Sequence, residues 1–292
     1  MIKLVVLDVD GTSIDRDNHF YDDDIKEIDF DKEKGIEFMF ASGRDMNMML
    51  DMIEKSHVDG DLIINNGTQY RNIEGTKNIA HPMDEDAFRK MIPVLQKHNY
   101  HISIHTTKGK YILTDFESYW DLHVKLLMKG REGVTLEDLP NTTFFRRWGY
   151  LNDCTSVSSI DEIYQQGALP LKVDARHLNP EEAKGVRELL DCIPHLNISS
   201  SYEDNIEITC DDYDKGIMLR EVLKLKGLTL DEVATFGDGL NDVCMLKGFP
   251  YSFTPANGCK EAKEAATYTL TKTGGNGAIQ EGLHILKDLD LI

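Results

Sequence analysis

The sequence predicts an α/β protein, in which an open parallel sheet with helices on its faces is interrupted by a smaller α+β domain. Three observations indicate this architecture. Short apolar runs alternate with helical segments at the start of the chain, as in parallel strands joined by helices. The middle of the chain shows period-two alternation and a short Gly turn, which are typical of hairpins. The first pattern returns from Asp214 onward, so the two parts of one sheet flank an insertion.

The first part of the chain contains three strands and two helices by this pattern. A continuous apolar run bounded by turn residues is typical of a parallel strand that is buried on both faces. The stretch 15–24, before the first helix, is strongly acidic, and the pattern assigns it no role. The predicted strands are 2–9, 36–41 and 61–65, and the predicted helices are 25–34 and 46–55.

The middle block begins with a predicted amphipathic helix, 84–98, followed by a hairpin. His101, Ser103 and His105 share one face of its first strand. Because no third ligand stands at a metal-binding spacing, we interpret this face as exposed to water rather than as a metal site. No clear pattern covers residues 130–166. The other elements predicted for this block are the hairpin strands 101–105 and 110–114, helices 117–129 and 180–192, strand 169–175, and a second hairpin, 195–200 with 205–209.

The last part of the chain resumes the strand–helix alternation. Helix 215–226 is predicted to end at Gly227, and Asn276 is predicted to cap a final helix that extends through Leu286. Residues 1–83 and 212–292 thus form the predicted core, and residues 84–211 form the inserted domain. The remaining predicted elements are strands 232–236, 251–253 and 268–270, and helices 241–246 and 260–266.

Composition restricts the class of partner. The 292 residues include 51 acidic and 32 basic side chains, for a net charge of −19. Such a surface repels phosphate backbones, which argues against a nucleic-acid binder. No apolar run is long enough to span a membrane, the first thirty residues lack a signal-peptide pattern, and the five cysteines are widely spaced without a CxxC pair. We therefore expect a cytoplasmic monomer or weak homo-oligomer whose partner is a small molecule.

The strongest chemical signal follows the first strand. Asp8 and Asp10 stand two residues apart, at the edge of an open α/β sheet where ligands bind. Gly11 allows a sharp turn and lets backbone N–H groups face an anion. A simpler interpretation is an Asp-Gly turn with no further role.

A second acidic signal follows the predicted strand 232–236. Asp238 and Asp242 should reach the same sheet edge as the first two acids. Four carboxylates repel one another in an empty site, and a hard divalent cation with oxygen ligands relieves that repulsion. Mg²⁺ suits one or two carboxylates together with a substrate phosphate. The sequence therefore predicts a divalent cation at this edge, and Mg²⁺ is the ion that suits it.

Two weaker signals complete the set. Ser42, Gly43 and Arg44 follow another predicted strand and open a helix, where a hydroxyl and backbone N–H groups can hold an anion. A serine that only caps that helix fits the pattern equally well. Lys215, at the start of a helix, would by itself be a solvated surface charge.

Together these residues resemble the haloacid dehalogenase superfamily of phosphohydrolases, and within it the Cof-type branch. The resemblance implies a Rossmann-like core with a cap domain inserted between the second and third motifs, since too few residues separate the first and second motifs to form a domain. Ser13 and Asn66-Gly67-Thr68 depart from the usual pattern without removing a catalytic group. The four motifs are Asp8-x-Asp10-Gly11-Thr12, Ser42-Gly43-Arg44, Lys215, and Gly237-Asp238-Gly239-x-Asn241-Asp242.

The resemblance also implies roles for these residues. Asp8 would attack phosphorus and form an aspartyl-phosphate, and Asp10 would protonate the leaving alcohol and then activate water. Lys215 would neutralise the charge that builds on the phosphoryl group and on Asp8.

Binding roles follow in the same way. Mg²⁺ would be held by the Asp8 carboxylate, the Asp10 carbonyl oxygen and Asp238, with Asp242 beside them as a ligand or as the partner of one. Asn241 would contact the phosphate or orient Lys215. The residues implied for phosphate or substrate binding are Gly11, Thr12, Ser42, Gly43, Arg44, Lys215 and Asn241.

These features predict a Mg²⁺-dependent phosphatase that acts on a small phosphorylated metabolite: a sugar phosphate, a nucleotide or a cofactor phosphate. A phosphomutase on the same scaffold and a non-catalytic protein that binds phosphometabolites are the alternatives. The cap would select the leaving group without a recognisable motif. Within it, Arg146-Arg147-Trp148 either binds a substrate anion or forms surface ion pairs.

Overall fold

The computed structural model describes residues 1–15, 18–200 and 204–292. Arg16 and Asp17 of the acidic stretch, and residues 201–203 of the second predicted hairpin, lie outside the described residues. The chain divides into two compact units. One consists of Met1–Asp45, Met49–Ile79 and Asp214–Ile292, and the other of Met46–Met48 and Ala80–Tyr213.

The strands and helices are numbered in chain order. The strands are β1 (Leu4–Leu7), β2 (Glu37–Ala41), β3 (Asp61–Ile64), β4 (Gln69–Arg71), β5 (Asn78–Ala80), β6 (His101–Thr106), β7 (Gly109–Ile112), β8 (Cys154–Ser156), β9 (Pro170–Arg176), β10 (Leu196–Ser199), β11 (Asn205–Cys210), β12 (Val233–Phe236), β13 (Tyr251–Thr254) and β14 (Tyr268–Thr269). The helices are α1 (Asp22–Glu33), α2 (Met46–Ser56), α3 (Glu85–Lys97), α4 (Phe116–Met128), α5 (Arg147–Tyr150), α6 (Ile160–Gln165), α7 (Pro180–Leu190), α8 (Lys215–Lys226), α9 (Val243–Leu246), α10 (Lys260–Ala265) and α11 (Ala278–Asp288).

The first unit is built on an eight-stranded sheet with the order β14-β13-β12-β1-β2-β3-β4-β5. The strands from β14 to β3 run parallel, and β4 pairs antiparallel with β3. Because β1 is apolar throughout, it lies fully buried at the centre of the sheet. Leu7 pairs with both Phe236 and Phe40, so the carboxyl ends of three neighbouring strands are level. The predicted parallel-sheet core is confirmed.

The last helix of this unit differs from the prediction in how it is capped. Helix α11 begins after Gly277, and its N-terminal N–H groups are not capped by Asn276. The carboxylate of Asp24, on α1, instead accepts from Gln280 N at 2.7 Å and from Gly277 N at 3.3 Å. Helix α1 begins at Asp22, three residues before the predicted start, which places Asp24 in its first turn. The prediction that Asn276 caps the helix is wrong because a residue distant in sequence performs that role.

The second unit contains a six-stranded sheet with the order β10-β11-β9-β6-β7-β8. Its strands pair antiparallel except for β7 and β8. One face packs on a cluster of apolar side chains that includes Phe88, Met91 and Val173. The predicted insertion of an α+β domain is confirmed.

One face of the first hairpin of this unit is predicted to be exposed to water, but its first strand, β6, is buried. Strand β6 lies between β9 and β7 and is buried along its whole length. The ring of His101 stacks on Tyr119 of α4, with centroids 4.2 Å apart, and His105 Nε2 lies 2.8 Å from Asp174 Oδ2. The prediction of a wet face is wrong because Tyr119 of α4 covers His101 and the Asp174 side chain of β9 lies against His105.

The segment 130–166, which has no clear sequence pattern, contains α5, β8 and α6. Arg146 donates to the backbone carbonyl oxygens of Leu136 and Leu139. Arg147 forms an ion pair with Glu117. Both arginines therefore stabilise their own unit, which favours the structural interpretation of this pair. In the part of the chain that the structure describes, every helix is too short or too polar to cross a membrane.

Candidate active site

Four loops meet at one edge of the first unit's sheet. Asp8 follows β1, Ser42 follows β2, Asn65 follows β3 and Gly237 follows β12. These strands are neighbours in the order β12-β1-β2-β3 and run parallel, so their carboxyl ends lie side by side. In an open α/β sheet, this edge is where ligands bind.

Lys215 joins two of the acidic residues. Its Nζ lies 2.7 Å from Asp8 Oδ1 and 2.7 Å from Asp242 Oδ1. The lysine side chain is only 1% exposed, so it is not the solvated surface charge that its type alone would suggest. Asp214 caps α8 by accepting from Ile217 N at 2.7 Å, and this fixes the helix end from which Lys215 projects.

The second carboxylate oxygen of Asp242 holds the fourth-motif loop. Asp242 Oδ2 accepts from Asp238 N at 3.0 Å and from Gly239 N at 2.9 Å. A turn of 3₁₀ helix, Leu240–Asp242, precedes α9, so the helix predicted over 241–246 begins at Val243. Both oxygens of Asp242 thus have hydrogen-bond donors, and the side chain locks the loop to Lys215.

Asp238 is tied to the first motif. Its Oδ1 accepts from Thr12 Oγ1 at 3.0 Å. Gly11 adopts a φ of +83°, and a Cβ atom there would lie 2.4 Å from Asp238 Oδ2. A side chain at position 11 is excluded both by this close approach and by the left-handed backbone conformation.

Three acidic side chains, those of Asp8, Asp238 and Asp242, offer ligands suited to a divalent cation. One carboxylate oxygen each from Asp8, Asp238 and Asp242 lie within 4.8 Å of one another. Three carboxylates face one ammonium group, so negative charge is in excess. Hard oxygen donors at this spacing fit Mg²⁺, which the resemblance implies. The Asp10 carboxylate lies outside this group, and the prediction for Asp10 involved its backbone carbonyl.

The electrostatics reflect this excess of negative charge. Burial raises the pKa of Asp8 well above its usual value, and the Asp242 carboxylate adds to the rise while Lys215 opposes it. Burial, together with repulsion from Asp242, raises the pKa of Asp238 to about 6. Burial by itself would lower the pKa of Lys215, but attraction to Asp242 and Asp8 raises it above its ordinary value. A bound cation would stabilise the ionised form of both carboxylates.

Asp10 and Arg44 form an ion pair. Arg44 Nε donates to Asp10 Oδ2 at 2.9 Å, and its Nη2 donates to Asp10 Oδ1 at 2.7 Å. The sequence assigned Arg44 to the phosphate and Asp10 to proton transfer. In the structure the Arg44 guanidinium contacts the Asp10 carboxylate.

The second motif is joined to the loop that follows β3. Ser42 is fully buried, and its hydroxyl oxygen accepts from Arg44 N at 3.1 Å. Because α2 begins only at Met46, Ser42 does not cap it, and the capping interpretation is wrong. Asn66 N donates to the Ser42 carbonyl oxygen at 3.1 Å, and Asn66 Oδ1 accepts from Asn241 Nδ2 at 3.2 Å. A Cβ atom at Gly43 would lie 2.8 Å from Asn66 Oδ1, so a larger residue there would displace the Asn66 side chain.

The sequence assigned no role to two asparagines at the site, although Asn66 stands in a segment that departs from the usual family pattern. Asn66 has a left-handed φ of +57° and links Ser42 to Asn241. Asn257 donates to the Gly11 carbonyl oxygen at 2.8 Å and accepts from Gly274 N at 2.7 Å, which fixes the first-motif loop. An Asn-Gly pair in a sequence indicates only a turn, so the sequence does not predict that either asparagine holds a site loop in place.

A family model described as haloacid dehalogenase-like hydrolase matches residues 5–281. Phosphoglycolate phosphatase of Methanosarcina acetivorans is 27% identical over 46% of this chain and 57% of that protein. A 5-amino-6-(5-phospho-D-ribitylamino)uracil phosphatase of Bacillus subtilis is 22% identical over 91% of this chain and 89% of that protein. A solved haloacid dehalogenase-like hydrolase from B. subtilis superposes with a TM-score of 0.79 and 20% identity, covering 99% of this chain and 100% of that one.

Proposed function

We propose that this chain, which belongs to the haloacid dehalogenase-like hydrolase family, is a Mg²⁺-dependent phosphatase that hydrolyses a small phosphorylated metabolite through an aspartyl-phosphate. The enzyme is a phosphoric monoester hydrolase. The cation, the covalent intermediate and the substrate class are proposed here. The observation that carries it is the buried contact of Lys215 with Asp8, beside Asp238 and Asp242.

Asp8 supplies the nucleophile. One of its carboxylate oxygens would form a bond to phosphorus while the bond from phosphorus to the leaving oxygen breaks. Lys215, whose raised pKa keeps it charged, neutralises the carboxylate and the transferring phosphoryl group. The side chains are buried, so these charges interact in a site with little water.

Mg²⁺ would be held by Asp8, the Asp10 carbonyl oxygen and Asp238, and when bound it would neutralise negative charge on the phosphate. Asp242 would position Lys215 through one oxygen and the loop of Asp238 through the other. The phosphate oxygens would be received by the Ser42 hydroxyl, N–H groups of the first and second motifs, and Asn241.

Asp10 would move the protons. As a carboxylic acid it would donate a proton to the departing alkoxide, and as a carboxylate it would take a proton from the water that attacks the aspartyl-phosphate. That second attack breaks the bond between phosphorus and the Asp8 oxygen, which releases phosphate and restores the Asp8 carboxylate.

The substrate class is a small organic phosphate: a sugar phosphate, a nucleotide or a cofactor phosphate. Two relatives are named for small phosphorylated metabolites, phosphoglycolate and a phosphorylated ribitylaminouracil. The net charge of −19 disfavours nucleic-acid substrates. We assign catalysis to 1–83 and 212–292, leaving-group selection to 84–211, and the whole to the cytoplasm.

The experiment is a phosphate-release assay on a panel of these three kinds of ester, with Mg²⁺ and with a chelator. We expect stoichiometric release of inorganic phosphate that stops when the cation is removed. Transfer of the phosphoryl group to a sugar without net release would identify a phosphomutase. Binding of the esters without turnover would identify a non-catalytic protein.

A further inference from the structure

The ion pair between Arg44 and Asp10 is unusual in how differently its two partners are exposed. The Asp10 side chain is 61% exposed, whereas the Arg44 side chain is 10% exposed. An exposed carboxylate samples several rotamers, and an exposed ion pair does little to order it. Here the cation is buried and donates through two nitrogens to two oxygens, which is the geometry that fixes the plane of a carboxylate.

Arg44 is itself held by hydrogen bonds at its backbone and at its guanidinium. Its backbone N–H donates to Ser42 Oγ at 3.1 Å, and its carbonyl oxygen accepts from Asn65 N at 2.9 Å. At the far end, Nη2 also donates to Asn18 Oδ1. The backbone of Arg44 is thus fixed within the second motif, and Asn18 holds its guanidinium.

We infer that Arg44 is a positioning residue for proton transfer, which orients the Asp10 carboxylate toward the leaving oxygen and the attacking water. This inference rests on the proposed function. Arg44 donates one hydrogen bond to each oxygen of the Asp10 carboxylate, which sets the plane in which those oxygens face the reacting groups. The alternative is the role that the sequence suggests, in which Arg44 binds the substrate phosphate.

The two roles differ in how the loss depends on the leaving group. An alkoxide needs a proton as it departs, whereas p-nitrophenolate leaves without one. The kcat/KM value reports the steps up to phosphorylation of Asp8, and kcat also includes the water step. A defect in proton transfer therefore lowers kcat/KM for an alkyl ester selectively, while a defect in phosphate binding lowers it for both esters.

The experiment compares Arg44→Lys with wild type and with Asp10→Asn, using 2-glycerol phosphate and p-nitrophenyl phosphate. Lysine keeps the positive charge and removes the two-nitrogen fork. For Arg44→Lys we expect kcat/KM to fall by about 10²-fold on the alkyl ester and by less than about 10-fold on the aryl ester, because general acid–base catalysis contributes about 10²–10⁴-fold. Asp10→Asn should show the same pattern. The aryl ester should also give a burst of p-nitrophenol followed by slow turnover.

Two further variants test the link between the residues. The Arg44→Lys, Asp10→Asn double variant should be no slower on the alkyl ester than Asp10→Asn alone, since both changes remove one function. Asn18→Ala, which leaves Arg44 and Asp10 in place, should show a smaller loss with the same dependence on leaving group. If Arg44→Lys is unstable by thermal melting, Asn18→Ala provides the same comparison.

Equal losses of kcat/KM on both esters, or losses that multiply in the double variant, would overturn the inference and assign Arg44 to the phosphate. Failure of the proposed function has a different signature. In that case the wild-type enzyme itself would release no phosphate from either ester.

Discussion

At the scale of single residues, Asp8 is the side chain on which the chemistry depends. Asp8→Asn keeps the size of the side chain but removes its charge and its nucleophilicity. We expect turnover to be abolished while the protein stays folded, as measured by phosphate release and by circular dichroism. The matched control is Asp24→Asn, the same change at a buried carboxylate of the first unit outside the site, which should retain activity. Activity of Asp8→Asn near the wild-type value would refute the mechanism.

Asp238 makes cation binding depend on pH. Because burial and repulsion from Asp242 raise its pKa to about 6, the carboxyl is increasingly protonated as the pH falls below 6. We expect Mg²⁺ affinity, measured by isothermal titration calorimetry, to fall between pH 7.5 and pH 5. Asp238→Asn should bind Mg²⁺ weakly at both values. Equal wild-type affinity at the two pH values would remove Asp238 from the cation site.

Residue types and motif spacing were enough to indicate which side chains surround the sheet edge, but not which of them touch. Asp8 is 207 residues from Lys215, and Lys215 is 27 residues from Asp242, so only the fold brings the three into 2.7 Å contacts. The sequence could not indicate that the Arg44 guanidinium lies against Asp10, since an arginine beside an anion site suits a phosphate equally well.

At the scale of elements, the capping of α11 is a tertiary contact. Asp24 accepts from two N–H groups at the start of that helix. Asp24→Ala should lower the free energy of unfolding by about 1 kcal/mol, the usual cost of a lost cap, as measured by urea denaturation. Asn276→Ala is the matched control and should change stability by a smaller amount. A larger loss for Asn276→Ala would show that the local residue caps the helix.

The reliability of the sequence pattern differs between the two units for a physical reason. In the parallel sheet, strands such as β1 are buried on both faces and appear as continuous apolar runs. In the inserted unit, polar strand residues are also buried: His101 stacks on Tyr119 and His105 contacts Asp174. Alternation of polar and apolar residues usually indicates that one face meets water, so the pattern predicts an exposed face for β6, which is buried.

At the scale of the whole molecule, the fold class, the family and the insertion point follow from the order of four motifs. The choice of substrate does not, because the side chains that select a leaving group follow no common spacing. We propose that residues 84–211 make this choice. Replacing them with a short linker should leave a core that binds Mg²⁺ and hydrolyses p-nitrophenyl phosphate without ranking natural phosphates. A truncated core that kept the ranking of the full enzyme would place selectivity in core loops such as 65–68.

If Asp8 carries the phosphoryl group during turnover, the phosphorylated enzyme can be trapped. Turnover is stopped with acid in the presence of substrate and Mg²⁺, the enzyme is reduced with borohydride, and its peptides are analysed by mass spectrometry. An acyl phosphate at position 8 is reduced to an alcohol, so we expect homoserine in place of Asp8, in amounts that depend on substrate. Reduction at another carboxylate, or unmodified Asp8 in an enzyme trapped during active turnover, would contradict this role of Asp8.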